Sequence, residues 1–195
     1  MIQGRVQIDV RSAPFPHAVT TSLLSPVFAD QLLEWLEADA PWTLRVESFY
    51  EQDECALSLA SLPPHLRQLL DPENIRAFAD TMFAPIGAEN LHFVEATAHK
   101  LSGGQSIRIH NDYLEGEETH RLLVQLNRGW PDENGGFLMF FSSPSADDVA
   151  RIVRPLHGCA IAFEISPASY HAVSPAKLGE RYTLVFTFRQ SLSSC

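Results

Sequence analysis

The stretch Ile107 to Tyr113, Ile-Arg-Ile-His-Asn-Asp-Tyr, sets a histidine and a carboxylate two residues apart where an apolar run turns polar. Alternate side chains of an extended strand share a face, so His110 and Asp112 are expected to project together and Asn111 away from them. Side by side, an imidazole and a carboxylate are two ligands of a metal ion. A third candidate, His171, stands in Ser-Tyr-His-Ala-Val-Ser; Arg181 follows ten residues later and Thr183 just after it.

Two imidazoles and one carboxylate on one triangular face, with the opposite positions open, form the donor set of non-haem Fe(II) sites. A lone His-x-Asp occurs by chance in surface loops, and His171 alone also reads as a satisfied interior histidine. The combination, on a strand-rich chain of this length, is far more specific. In the final strand, Arg181, Thr183, Val185 and Thr187 share one face, and Tyr182, Leu184, Phe186 and Phe188 share the other. Arg181 and Thr183 then enter one space, where a guanidinium pairs bidentately with a carboxylate and a hydroxyl adds a hydrogen bond. Arg121 to Asn127 alternates likewise, with Arg121, Leu123, Gln125 and Asn127 on one face and Leu122, Val124 and Leu126 on the other.

From His99 to Phe188 the chain resembles the Fe(II)/2-oxoglutarate-dependent dioxygenases, especially their prolyl-4-hydroxylase-like branch. The resemblance rests on an ordered series: the Gly104-Gln105 turn, His110-x-Asp112, Leu126-Asn127, Gly135-Gly136-x-Leu138, Pro155 to Gly158, Phe163, His171-x-Val173 and Gly179-x-Arg181-Tyr182-Thr183. It implies a double-stranded β-helix, or distorted jelly roll, with iron between the sheets near one open end. It also implies metal ligation by His110, Asp112 and His171. Arg181 and Thr183 would anchor the C5 carboxylate of 2-oxoglutarate, whose other end chelates Fe(II), with O2 as the second cosubstrate.

The implied reaction is hydroxylation of an unactivated C–H bond with release of succinate and CO2. The chain departs from the family twice. Gln125 stands where many relatives carry a tyrosine beside the cosubstrate, and Lys100-Leu101 occupy the region of an upstream tyrosine. Gln125 can still donate a hydrogen bond; Lys100 either assists or is exposed. The wording around Ala98 to Leu101, His110 to Asp112 and Glu118 to Arg121 is similar to a small bacterial subgroup that tailors ribosomally made peptides. A peptide or small-molecule substrate is therefore expected.

The elements that must position these residues read as mostly β (α+β), in a single domain over 1–195. Residues 1–89 supply a mostly helical support and 90–190 the jelly-roll core. Strands are expected at Gly4 to Val10 and Trp42 to Tyr50. Ser25-Pro26 starts a helix to about Ala38 with Phe28, Leu32, Leu33 and Leu36 on one face. Glu51 to Ser61 is ambiguous, Pro63-Pro64 and Asp71-Pro72 look like helix entries, and Pro85-Ile86-Gly87 is a stop. The helices are expected on the outer face of a sheet, with no chemistry among them and with His17 and His65 exposed.

Beyond Asn90, strands are expected near Leu91 to Leu101, Ser106 to His110, Arg121 to Asn127, Phe137 to Phe141, Arg151 to Pro155, Cys159 to Ile165 and Arg181 to Arg189. His99, His120 and His157 read as structural or exposed, Gly103-Gly104 and Gly135-Gly136 as turns, and Glu115 to Glu118 as a solvated loop. Arg108, Tyr113 and Trp130 are candidates for the rim of the site.

A net charge of −10 and a pI near 5.2 argue against nucleic acid and against acidic membrane surfaces as partners. The start of the chain has no signal-peptide core, and no window reaches transmembrane length. Cys55, Cys159 and Cys195 are odd in number and widely spaced, which fits neither a disulfide framework nor a zinc site. A reducing cytoplasm, which would keep iron ferrous, is the expected location. Two rival classes fit part of the pattern. A cupin-type metal-binding β-barrel would not need Arg181, and a non-catalytic jelly-roll binding module would not bind metal.

Overall fold

The structure is a computed structural model and describes residues 1–2, 4 and 6–191. Among the described residues, twelve strands form two sheets: β1 (Ile8–Arg11), β2 (His17–Thr20), β3 (Thr43–Val46), β4 (Glu51–Ala56), β5 (Leu91–Ser102), β6 (Ile107–His110), β7 (His120–Gln125), β8 (Leu138–Phe141), β9 (Val149–Val153), β10 (Ala160–Glu164), β11 (His171–Val173) and β12 (Glu180–Gln190). The larger sheet has the order β1-β2-β10-β7-β12-β5-β4-β3, the smaller β6-β11-β8-β9. All pairings between these strands are antiparallel. Helices α1 (Pro26–Ala38) and α2 (Pro72–Met82) both carry proline in their first turn. At N1 a proline gives up only an N–H that has no intrahelical partner.

Strand alternation divides the core in two. On the outer face of the larger sheet, Leu122, Val124, Tyr182, Leu184, Phe186 and Phe188 pack with Phe28, Leu32, Leu36, Ile75, Phe78 and Met82 of the helices. Phe78 meets Phe186 and Phe83 meets Phe188 at ring-centroid distances of 5.6 and 5.2 Å. Between the sheets, Leu123, Leu138, Phe140, Ile161, Phe163 and Val185 form the second cluster. The expected strand phases and the outer-face position of the helices are thus present.

Several expectations need correction. The first strand runs over Ile8–Arg11 rather than Gly4 to Val10, a stretch that includes Arg5, outside the described residues; Cys195 also lies outside them. The strand expected from Trp42 to Tyr50 is confined to Thr43–Val46. The ambiguous Glu51 segment is β4, whose register on β5 pairs Glu54 with His99. Pro63-Pro64 opens a 3-10 turn over Pro64–Leu70 rather than an α-helix. β2 and β11 were not anticipated, because four and three residues are too short to show a period of two.

His17, expected at the surface, is fully buried. Its Nδ1–H donates to the Phe15 carbonyl (2.7 Å) and its Nε2 accepts from Arg151 Nη1 (2.7 Å). Arg151 also pairs with Asp9 (2.7 Å). The cluster ties β1 and β2, at one edge of the larger sheet, to β9, at the edge of the smaller one. Burial lowers the pKa of His17, and burial does the same at His99, His120 and His157.

A histidine whose folded pKa lies below its unfolded value binds its proton more readily when unfolded. Its stabilising contribution is therefore complete above the unfolded pKa, about 6.5, and is lost as pH falls below it. The urea midpoint of the protein is expected to hold from pH 8 to 7 and to drop toward pH 5. His17→Asn is expected to flatten part of that slope; an unchanged slope would show that His17 titrates alike in both states.

Candidate metal centre

The two histidines meet through strand register. His171 of β11 pairs with His110 of β6, so their rings lie side by side with centroids 4.2 Å apart. Phe163 packs on His171 (5.0 Å) and Phe49 on His110 (4.6 Å), which restricts both rings. Asp112 arrives differently from the expected strand alternation. β6 ends at His110, and Asp112 has φ +58°, a left-handed conformation that aspartate tolerates better than most residues.

Asn111 and its neighbours hold that turn. Its side chain accepts from the Tyr113 N–H (3.2 Å) and donates to the Pro167 carbonyl (3.2 Å), while Ser169 Oγ donates to its carbonyl (2.9 Å). The result brings ligand atoms of His110, Asp112 and His171 within 4.8 Å of one another.

The hydrogen bonds decide what this cluster can hold. His110 Nδ1–H donates to the Arg108 carbonyl and His171 Nδ1–H to the Ser169 carbonyl, each at 2.8 Å. These bonds fix the tautomers and leave both Nε2 atoms as lone pairs, an arrangement typical of metal-binding histidines. Those lone pairs face Asp112, at 3.2 Å from His110 to Oδ1 and 3.5 Å from His171 to Oδ2. Burial would raise the Asp112 carboxyl, but the groups beside it, the Arg121 guanidinium foremost, outweigh burial and hold the pKa well below the usual range. Burial also lowers His171, keeping it neutral. Acceptors thus face acceptors, and a bound cation resolves the repulsion. The donor set fits Fe(II).

Around these ligands lies a cavity of about 250 Å³. Leu123, Leu138, Phe163, Val173 and Val185 give it an apolar wall; Arg121, Arg181, Thr183, Tyr50, Gln52 and His99 give it polar ones. Arg181 is 3% exposed and has no acidic partner among the described residues. Its Nη1 donates to Thr183 Oγ1 (2.7 Å), the Thr183 hydroxyl donates to Gln125 Oε1 (3.0 Å), and Arg181 Nε and Gln125 Nε2 have no partner among the described residues. Burial pushes the Arg181 pKa down to about 10, still protonated at neutral pH.

The Gly135-Gly136 turn makes room for it. Both glycines have positive φ, and a Cβ on Gly136 would lie 2.8 Å from Arg181 Cδ. Asn127 closes the same end, accepting from the Tyr182 N–H (2.7 Å) and donating to the Pro155 carbonyl (2.9 Å).

Other expected residues sit elsewhere. Lys100 is on the outer face, paired with Asp53 and Glu180 (3.5 and 3.7 Å), away from the cavity. Trp130 is buried, donating to the Gly135 carbonyl (2.9 Å), and does not form a rim. Arg108 donates to the Ser48 carbonyl, Tyr113 is exposed, and His120 is buried against Phe83 on the outer face. The acidic loop is partly engaged: Glu118 pairs with Arg121, whose Nε lies 3.3 Å from Asp112, and Glu117 pairs with Arg189. Sequence reasoning missed Phe49, Tyr50 and Gln52 as cavity residues. The period of two puts Gln52 and Glu54 on one face of β4 but does not tell which face looks inward.

The fold and its donor set define a jelly roll with a candidate metal site made of two histidines and one carboxylate. The family model of the 2OG-Fe(II) oxygenase superfamily matches residues 96–189. Among solved structures, the chain is similar to a Pseudomonas putida prolyl-4-hydroxylase (22% identity, TM-score 0.69, covering 90% of this chain and 93% of that one). It is also similar to a Trichoplax adhaerens prolyl hydroxylase in complex with a hypoxia-inducible-factor peptide fragment (14%, TM-score 0.68, 92% and 87%). A third is HygX of Streptomyces hygroscopicus with nickel and 2-oxoglutarate bound (14%, TM-score 0.61, 90% and 83%). At these identities the likeness carries the fold. No curated protein matches the sequence significantly. Residues 96–189 thus match the 2OG-Fe(II) oxygenase superfamily, whose cofactor and cosubstrates are Fe(II), 2-oxoglutarate and O2. Among the described residues, no helix is long and apolar enough to cross a membrane.

Removing a ligand tests the centre. Asp112→Ala is expected to weaken Fe(II) or Co(II) binding by about 100-fold with an unchanged circular dichroism spectrum, a loss at or above the scale seen even for outer-shell changes. An unchanged metal affinity would refute the assignment.

Proposed function

We propose that this chain is an Fe(II)- and 2-oxoglutarate-dependent hydroxylase acting on an unactivated C–H bond of a peptide or amino-acid side chain. In this reading His110, Asp112 and His171 hold the iron, and Arg181 and Thr183 anchor the C5 carboxylate. When bound, Fe(II) would supply the redox chemistry that couples conversion of 2-oxoglutarate and O2 to succinate and CO2 with insertion of the other oxygen atom into the C–H bond. The single observation that carries the reading is Arg181, a buried guanidinium without an acid partner, in the cavity that also holds the three ligands.

An unpaired buried cation is costly, and a bidentate carboxylate is its best complement. Gln125 acts through Thr183, whose hydroxyl it orients, rather than through the cavity wall. The apolar wall of Leu123, Leu138, Val173 and Val185 excludes water from the reacting C–H bond. A peptide substrate is supported by the relative seen with a peptide fragment and by the prolyl-4-hydroxylase likeness. We place the protein in a reducing cytoplasm, in keeping with Cys55 and Cys159 as free, buried thiols. A cupin-type site would leave Arg181 without a ligand.

Anaerobic addition of Fe(II) and 2-oxoglutarate is expected to give the weak visible charge-transfer band of the chelate, followed by slow succinate formation on admitting O2. Iron bound with no band would overturn the reading. Arg181→Ala is expected to weaken 2-oxoglutarate binding by roughly 30-fold or more, the equivalent of losing about 2 kcal/mol from a buried charge pair. Gly136→Ala, which touches neither ligand, is expected to weaken it as well, since the new methyl group displaces Arg181; fluorescence titration with 2-oxoglutarate reads both.

A further inference from the structure

Beside the metal ligands, the cavity holds a polar group with no part in binding iron or in anchoring the C5 carboxylate. Gln52 of β4 and His99 of β5 both line it. Gln52 is 1% exposed, and its Nε2 donates to Glu54 Oε1 (2.9 Å) and to His99 Nδ1 (3.1 Å). Tyr50 donates its hydroxyl to the same Glu54 oxygen (3.2 Å).

A carboxylate only accepts, so Glu54 fixes which way the Gln52 amide points; the flipped amide would set oxygen against oxygen. With the NH2 turned to Glu54 and His99, two consequences follow. Gln52 Oε1 is a buried acceptor without a partner among the described residues. His99 Nδ1 is an acceptor, which puts the ring hydrogen on Nε2, and no described residue accepts it. Burial pushes the His99 pKa down to about 4, so the ring is neutral and this tautomer persists at neutral pH.

The two unfilled groups are a donor and an acceptor on neighbouring residues that both line the cavity. 2-Oxoglutarate as a dianion carries acceptors only. It could take the His99 hydrogen, and His99 does stand next to Thr183 in the β5–β12 register, but it cannot satisfy Gln52. A group carrying both an N–H and a carbonyl satisfies both. We propose that Gln52 and His99 form a subsite for an amide of the substrate being oxidised, with Gln52 Oε1 accepting its N–H and His99 Nε2–H donating to its carbonyl. The amide must carry a hydrogen, which selects a primary carboxamide or a secondary peptide bond and excludes the tertiary amide on the nitrogen of a proline. This inference rests on the reading above, because it assigns 2-oxoglutarate to Arg181.

The test uses the full chain loaded with Mn(II) and 2-oxoglutarate, which does not turn over. Paramagnetic broadening of the methyl resonances of acetamide, N-methylacetamide and N,N-dimethylacetamide reports their approach to the metal. The two probes bearing N–H are expected to broaden at least threefold more than the dimethyl probe. Gln52→Met is expected to erase that preference, and His99→Leu to reduce broadening for all three. Both variants should keep 2-oxoglutarate affinity, read by tryptophan fluorescence, within twofold of the unaltered chain, which also shows that they fold.

Equal broadening by all three probes, or a preference that survives Gln52→Met, would overturn the inference and leave the hydroxylase reading intact. A tenfold loss of 2-oxoglutarate affinity in both variants would also overturn it, assigning the pair to the cosubstrate. Failure of the unaltered chain to bind 2-oxoglutarate at all would overturn both.

Discussion

Three lone-pair donors crowd into one small volume, and none can satisfy another. Each histidine turns its Nδ1 hydrogen to a backbone carbonyl, and Asp112 is held ionised by Arg121. Much of the architecture serves to keep that mutual repulsion in place. Strand register sets the two imidazoles abreast, Phe163 and Phe49 brace them, and a left-handed aspartate, pinned by Asn111 and Ser169, closes the face. Preorganised repulsion of this kind selects a cation, because only a cation relieves it.

The larger sheet does the complementary work. β12 presents aromatic and aliphatic groups to the helices on one side and Arg181, Thr183 and Val185 to the cavity on the other. Its neighbours β7 and β5 hold Gln125 and His99 at the two flanks of Thr183. Helices α1 and α2 are thus distant supports: by covering the outer face they allow a sheet with a charged inner face to remain buried. The Arg151–His17–Asp9 link joins the sheet edges through β1, β2 and β9.

Much of this was legible in the sequence, for reasons that particular residues make clear. Tyr182 to Phe188 alternates strictly over a long strand, so its two faces could be read directly, and with them the association of Arg181 and Thr183. Ser25-Pro26 carries its own start signal. The candidate ligands stand out by type and order, yet the route to Asp112 was not legible, because the left-handed turn is set by contacts with Pro167 and Ser169, far along the chain. His17 was misread since nothing local reveals that Arg151 comes to meet it. Gln52 was hidden because β4 is polar on both faces, and only its register on β5 shows which residues look inward.

The cavity's charges also bear on how substrates are captured. Arg121 and Glu118 cancel one another, leaving Asp112 and Arg181 as the remaining pair. Add a divalent ion and a doubly ionised 2-oxo acid, and the sum is zero. The loaded centre therefore casts little field beyond its walls, while the chain as a whole carries −10. Capture of the second substrate then depends on shape and hydrogen bonds at short range, and its rate should be nearly indifferent to ionic strength unless the substrate is itself highly charged.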